Sequence, residues 1–351
     1  MLDAMPHMTD PMRDVRRWLW AVAALVAGMI MLGGATRLTG SGLSITEWNV
    51  VTGVLPPLTD AAWLAEFEKY KAIPQYQQIN KGMSLADFRF IYFWEWAHRL
   101  LGRIVGFAFA LPLAFFWWRG KIGRALGTKL LVLLFLGGLQ GFIGWWMVAS
   151  GLSVRTDVSQ YRLAVHLTLA CVIFVALVWV ATTLLPRRES IGRRGKPLAI
   201  ILIALSLVQV FLGAIVAKTN AGLTFNTWPL IDGVFHPKRE QLFLLDPWWR
   251  NIFENVMAVQ FNHRMTAYLL WFAALGYAVY QIRGQASREA WVLFALISAQ
   301  AVLGIFTLLY AVPFALGLAH QAGASWCWLM PATTRPDSAK FKRSGPFRDR
   351  R

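Results

Sequence analysis

Six stretches of this 351-residue chain run without a single Asp, Glu, Lys or Arg: residues 18–36, 130–154, 163–186, 198–217, 290–311 and 312–330. Each is long enough, as a helix, to cross about 30 Å of hydrocarbon. Two further stretches, around 90–118 and 256–282, are equally long but carry a few polar residues. Inside a bilayer every backbone N–H and C=O must be bonded within its own segment or a closed barrel, and runs of this length call for helices. The expectation is an all-α integral membrane protein with eight transmembrane helices. Charged residues make up 15% of the chain, against about 25% in soluble domains.

The formal charge of +17 would suggest a nucleic-acid partner in a soluble protein. Here the cations fall on alternate loops. Arg13, Arg16 and Arg17 precede span 1, and Arg119, Lys121, Arg124 and Lys129 follow span 2. Arg187, Arg188, Arg193, Arg194 and Lys196 follow span 4, Arg283 and Arg288 follow span 6, and the tail after residue 330 holds seven more. Residues 218–257, on the other side, contain four cations and four anions. Positive loops stay in the cytoplasm, so both termini are expected there and no nucleic acid is implied. The N-terminus lacks the features of a cleaved signal peptide or a mitochondrial presequence, and a bacterial inner membrane is the expected location. Cys171 and Cys327 both lie in apolar runs, which leaves no outer-loop disulfide or cysteine metal site to build.

The chain repeats itself. Residues 33–48 share Gly, Thr, Gly, Leu and Trp with residues 213–228 at a constant offset of 180: Gly33 with Gly213, Thr39 with Thr219, Gly42 with Gly222, Leu43 with Leu223, Trp48 with Trp228. Glu95, His98 and Arg99 in span 2 answer to Gln260, His263 and Arg264 in span 6. Gln140 and Gly144 in span 3 answer to Gln300 and Gly304 in span 7, and His166 in span 4 to His320 in span 8. The pattern predicts two tandem four-helix bundles related by a pseudo-twofold axis along the membrane normal. Its divisions are a cytoplasmic segment 1–17, a first half 18–186, a linker 187–197, a second half 198–330 and a basic tail 331–351. In the first outer loop, Thr59 and Asp60 precede apolar positions at helical spacing, which predicts a short amphipathic helix over 59–70.

Four of the six histidines belong to the repeat, all in the outer half of the membrane. Polar side chains inside a span are costly and are usually functional. Two imidazoles on facing helices of a bundle can hold a haem iron from both sides. Zinc suits the pattern less well, because no carboxylate or cysteine completes a set beside either pair. A single such histidine is more simply an interhelical hydrogen-bonding group; four at matched positions favour ligation. His7 and His236 have no repeat counterparts and read as surface residues.

The repeat breaks at one informative place. Glu95 lies one turn before His98 and shares its face, whereas Gln260 in the same place cannot ionise. The first half is therefore the expected site of chemistry, with Glu95 accepting a proton or stabilising developing positive charge. An ion pair with Arg99 or Arg103 is the structural alternative. The second half, without the acid, suits an electron-transfer haem. Arg37, Lys218, Arg99 and Arg264 are candidate partners for haem propionates. Gly33, Gly42, Gly213 and Gly222 read as close-packing and turn residues, and Trp48 and Trp228 as interfacial aromatics.

At residues 34–44, 95–103, 262–265 and 319–324 the chain resembles the haem A synthase family. The resemblance implies an oxidoreductase that converts the C8 methyl group of haem O into the formyl group of haem A for cytochrome c oxidase. It implies haem O between His98 and His166, haem b between His263 and His320, and an essential acid at Glu95. It also implies a haem O synthase and the oxidase assembly machinery as partners, with an electron donor or acceptor still to be identified; self-association is left open. Two rivals remain at this point: a bis-histidine b-type cytochrome that only passes electrons, and a haem carrier or assembly chaperone. Family members with a cysteine pair in the first outer loop differ from this chain, whose cysteine-free loop resembles the proteobacterial and mitochondrial type. After about Ala324 the chain departs from the aliphatic continuation expected of span 8.

Overall fold

The computed structural model describes residues 10–49, 51–185, 195–282 and 287–326. The expectations placed on His7, Cys327, most of the linker and the basic tail lie outside the described residues. The described chain is helical, in the order α1 (Arg13–Leu38), α2 (Asp60–Lys71), α3 (Pro74–Gln78), α4 (Leu85–Trp118), α5 (Arg124–Ala149) and α6 (Gln160–Thr183). It continues through α7 (Gly195–Lys218), the one-turn helices α8 (Ala221–Thr224), α9 (Arg239–Leu242) and α10 (Asn251–Glu254), then α11 (Val256–Tyr280), α12 (Ser287–Leu309) and α13 (Phe314–Trp326). Six of these, α1, α4, α5, α6, α7 and α12, are long and apolar enough to cross a membrane. This is a membrane protein. The expected count of eight is met in part: α11 has 25 residues but carries Gln260, Asn262, His263 and Arg264 near its start, and the described α13 has only 13 residues.

Local chemistry sets the helix ends. Ser84 accepts a hydrogen bond from the Asp87 amide at 3.1 Å while Asp87 reaches back to Ser84, a reciprocal cap that starts α4. Asn255 caps α11 by accepting from the amides of Met257 and Ala258. The helix expected over 59–70 forms as α2, with Thr59 accepting from the Ala62 amide. Its Phe67 and Tyr70 pack with Leu43, Phe88, Ile91 and Tyr92 into a cap over the first half.

Pro112 lies inside α4 and has no N–H to give the Ala108 carbonyl four residues earlier. The indole of Trp18, from α1, donates to that same carbonyl at 2.7 Å. A neighbouring helix thus supplies the missing donor, as an apolar surrounding requires.

Helix α1 packs on α4, α6 and α13; α7 packs on α6 and α11; α5 lies on α4 and α6, and α12 on α11 and α13. Since α6 corresponds to α13 and α7 to α1, the α6–α7 and α13–α1 contacts are equivalent seams between the halves. An apolar cluster fills one end of the molecule, from Val15, Leu19 and Val22 of α1 through Phe109 and Leu113 of α4 to Leu177 of α6 and Ala274 of α11. The four repeated histidines lie toward the other end.

Candidate functional site

Each repeated histidine is seated against a glycine of the preceding long helix. A side chain at Gly33 (α1) would meet His98 Nε2 at 3.1 Å, and one at Gly144 (α5) would meet His166 Cε1 at 3.0 Å. In the second half, Gly213 (α7) faces His263 Cε1 at 3.2 Å and Gly304 (α12) faces His320 Cε1 at 2.7 Å. At all four positions a methyl group would compete with the ring for space. His98 and His166 are close enough to interact electrostatically, and so are His263 and His320. The expected pairs are therefore brought together, one pair in each half.

Glutamines hold three of the rings. Gln140 Nε2 donates to the His166 carbonyl oxygen at 3.0 Å and lies 3.2 Å from its Nδ1. Gln300 does the same at His320, 2.6 Å from the carbonyl and 3.0 Å from Nδ1. Gln209 repeats it at His263, 3.1 Å from each. The amide oxygens of Gln140 and Gln209 are buried and unbonded among the described residues.

Beyond the rings, each half clamps the loop that follows its first long helix through matching residues. Glu95 is 3% exposed; its Oε2 accepts from Ser44 Oγ at 2.8 Å and from the Ile45 amide at 2.9 Å. Its Oε1 pairs with Arg99 at 2.7 Å, and Arg99 also donates to the carbonyls of Ile45 and Glu47. The Arg99 guanidinium lies over Trp48, 4.9 Å from the ring centre. In the second half Gln260 and Arg264 both donate to the carbonyl of Phe225, the counterpart of Ile45, and Arg264 also to Leu230. Gln260 is equally buried, and its oxygen is left unbonded among the described residues. A carboxylate thus does in one half what an amide does in the other, with a full charge added.

The remaining cations sit on the seam between halves. Arg37 donates to the carbonyl of Ala217, its own counterpart at the repeat offset, and Lys218 pairs with Asp157 in the loop before α6. All four proposed propionate partners are therefore already engaged with protein atoms. The next glycine after Gly33 also matters: a side chain at Gly34 would strike the amide of Gln321, which donates to the Ile30 carbonyl at 2.7 Å. His236 is exposed, with its ring edge-on to Phe261. Among the described residues no group of three or more His, Cys, Asp and Glu side chains gathers as a metal cage.

The cytochrome oxidase assembly protein family matches residues 16–331. The chain belongs to that family. It is 54% identical to the haem A synthase of Rhodopseudomonas palustris strain BisA53, over 90% of this chain and 88% of the relative. It is 54% identical to the haem A synthase of Bradyrhizobium diazoefficiens, over 90% of this chain and 89% of that one. The haem A synthase of Brucella suis is 55% identical over 88% and 87% of the two chains.

In this family member, Gln209 is a site residue that reading by repeat passes over, because its counterpart in the first half is Met29. A different signal was available. Gln140, Gln209 and Gln300 each stand four residues before a ring-facing glycine, a spacing that puts both on one helix face.

Proposed function

We propose that this chain is a haem A synthase, oxidising the C8 methyl group of haem O to a formyl group. The observation that carries the reading is the unequal repeat: two pairs of glycine-seated histidines, only one of which lies beside a buried carboxylate. Haem suits these residues on grounds of chemistry. Two facing imidazoles supply both axial ligands of an iron. Glycine at every ring leaves room for the imidazole, and the amide nitrogens of Gln140, Gln209 and Gln300 stand within 3.2 Å of ring Nδ1 and orient three of the four rings. His98 and His166 would hold haem O as substrate; His263 and His320 would hold haem b, which supplies a reversible one-electron centre when bound.

Turning a methyl group into a formyl group with oxygen from water releases four electrons and four protons. Glu95, with one oxygen toward Ser44 and Ile45 of the outer loop, is the group placed to pass protons outward from the His98 side. Arg99 pairs with the other oxygen of that carboxylate at 2.7 Å. The ion pair and a catalytic role are compatible, because Gln260 builds the same loop clamp without a charge. Arg99, Arg264, Arg37 and Lys218 are the cations toward that end of the pockets. Haem propionates meeting them would share donors already given to protein carbonyls and to Asp157.

The wider architecture follows the same repeat. Eight helices cross a bacterial inner membrane, in halves 18–186 and 198–330 about a pseudo-twofold axis, with both termini cytoplasmic. What supports this is the equivalence of the α6–α7 and α13–α1 seams, and the contact of Arg37 with its own counterpart, as expected beside such an axis. Haem O synthase upstream and cytochrome c oxidase assembly downstream are the partners implied, with an electron acceptor. Purified protein supplied with haem O, followed by pigment extraction and chromatography, should yield haem A; haem O recovered unchanged under oxidising conditions would overturn the assignment.

A further inference from the structure

A ligand pair that receives a substrate must open, and a pair that keeps a cofactor must not. The glutamine pattern distinguishes the four ligands on this point. His166, His263 and His320 are each held by an amide that donates to the histidine's carbonyl oxygen and approaches its ring nitrogen. The position equivalent to Gln209 in the first half is Met29, whose Cε lies 3.4 Å from where a side chain on Gly102 would begin. Gly102 is one turn past His98, so Met29 reaches the same surface of α4 but has no hydrogen to donate. Among the described residues the His98 ring makes no hydrogen bond.

The ring orientation differs as well. Three histidines turn Cε1 toward their glycine, whereas His98 turns Nε2, with Cδ2 next, as if the ring were turned over. Nothing at Met29 fixes one face over the other.

We propose that His98 is the exchangeable iron ligand: its ring swings aside to admit haem O and release haem A while latched His166 keeps its hold. The second pair, latched on both sides, retains haem b. This rests on the reading of the first half as the substrate site.

Two measurements on full-length protein loaded with haem b and haem O test it. Carbon monoxide binds ferrous haem where an axial ligand leaves, so it should bind the haem O and spare the haem b. Transfer to excess apomyoglobin, with the two haems separated afterwards by chromatography, should remove haem O first. Met29→Gln should suppress carbon monoxide binding and slow haem O transfer by about tenfold, the equivalent of one well-made hydrogen bond. Gln209→Met should make the haem b newly reactive to carbon monoxide, and this second variant decides the matter if the first folds poorly. Equal carbon monoxide reactivity of the two haems, or haem b leaving first, would overturn the proposal while leaving the functional reading intact. A preparation that binds haem b but no haem O would overturn both.

Discussion

In the first half a buried carboxylate, Glu95, accepts two hydrogen bonds from the loop after α1 and forms an ion pair with Arg99. In the second half a buried amide, Gln260, gives one hydrogen bond to the matching loop and leaves its oxygen unbonded among the described residues. Both loops are held, and in both an arginine one turn later shares the work. The comparison teaches that the fold does not require the charge. Burying a carboxylate is expensive and an amide would serve, so the charge in one half points to a task other than packing.

The strongest way to break this comparison is to make the halves alike. Glu95→Gln should lower turnover by at least about a hundredfold, the usual range for loss of a proton-transfer group. Arg99 keeps its bonds to the Ile45 and Glu47 carbonyls, so the extracted haem content should stay at the wild-type level. Undiminished haem A formation would show that the carboxylate is structural.

A second test concerns the seam. Gly34 and Gln321 correspond to Ala214 and Leu167, which belong to one apolar cluster in the equivalent seam. Gly34→Ala places a methyl group against the Gln321 amide and should free it from the Ile30 carbonyl, costing about 0.6 kcal/mol for one hydrogen bond between membrane helices. The double variant Gly34→Ala with Gln321→Leu copies the other seam and should recover the lost thermal stability. If the double variant is less stable than either single one, the two seams are not equivalent.

The smallest effect is expected where α6 meets α10, beside the α6–α7 seam. Glu254 accepts from Tyr161 of α6 at 2.6 Å and pairs with Arg250, which holds its carboxyl below the usual value of 4.5. A lowered value means that the contribution is complete above pH 4.5 and is lost as the pH falls through the folded-state value. Exposure of the pair to solvent keeps it small. Thermal melts of Glu254→Gln should fall slightly below wild type at pH 7 and coincide with it in acid; a gap that widens in acid would contradict this linkage.

Much of this was legible in the sequence, because a duplication prints each functional position twice. The four histidines, the Glu95–Gln260 mismatch and the capped helix after Thr59 were all visible in residue types and spacing. The contacts that cross between helices were not. That Trp18 repairs the gap at Pro112, or that Arg37 bonds the carbonyl of Ala217, depends on which helices touch, and backbone acceptors leave no mark in composition. The polar start of α11 was visible and explains why it falls short of the apolar character of its neighbours. Gln209 was missed for a related reason: matching residues between repeats finds what the halves share, and this glutamine matters because they differ.

The two consecutive glycines of α1 have one more consequence. Gly33 borders the ring of His98, and Gly34 borders Gln321, the residue next to His320. Along this line α1 offers two neighbouring positions without side chains, one turned to α4 and the other to α13. The same short strip therefore lets two helices approach α1 at one level, Gly33 by admitting the His98 ring and Gly34 by admitting the Gln321 amide.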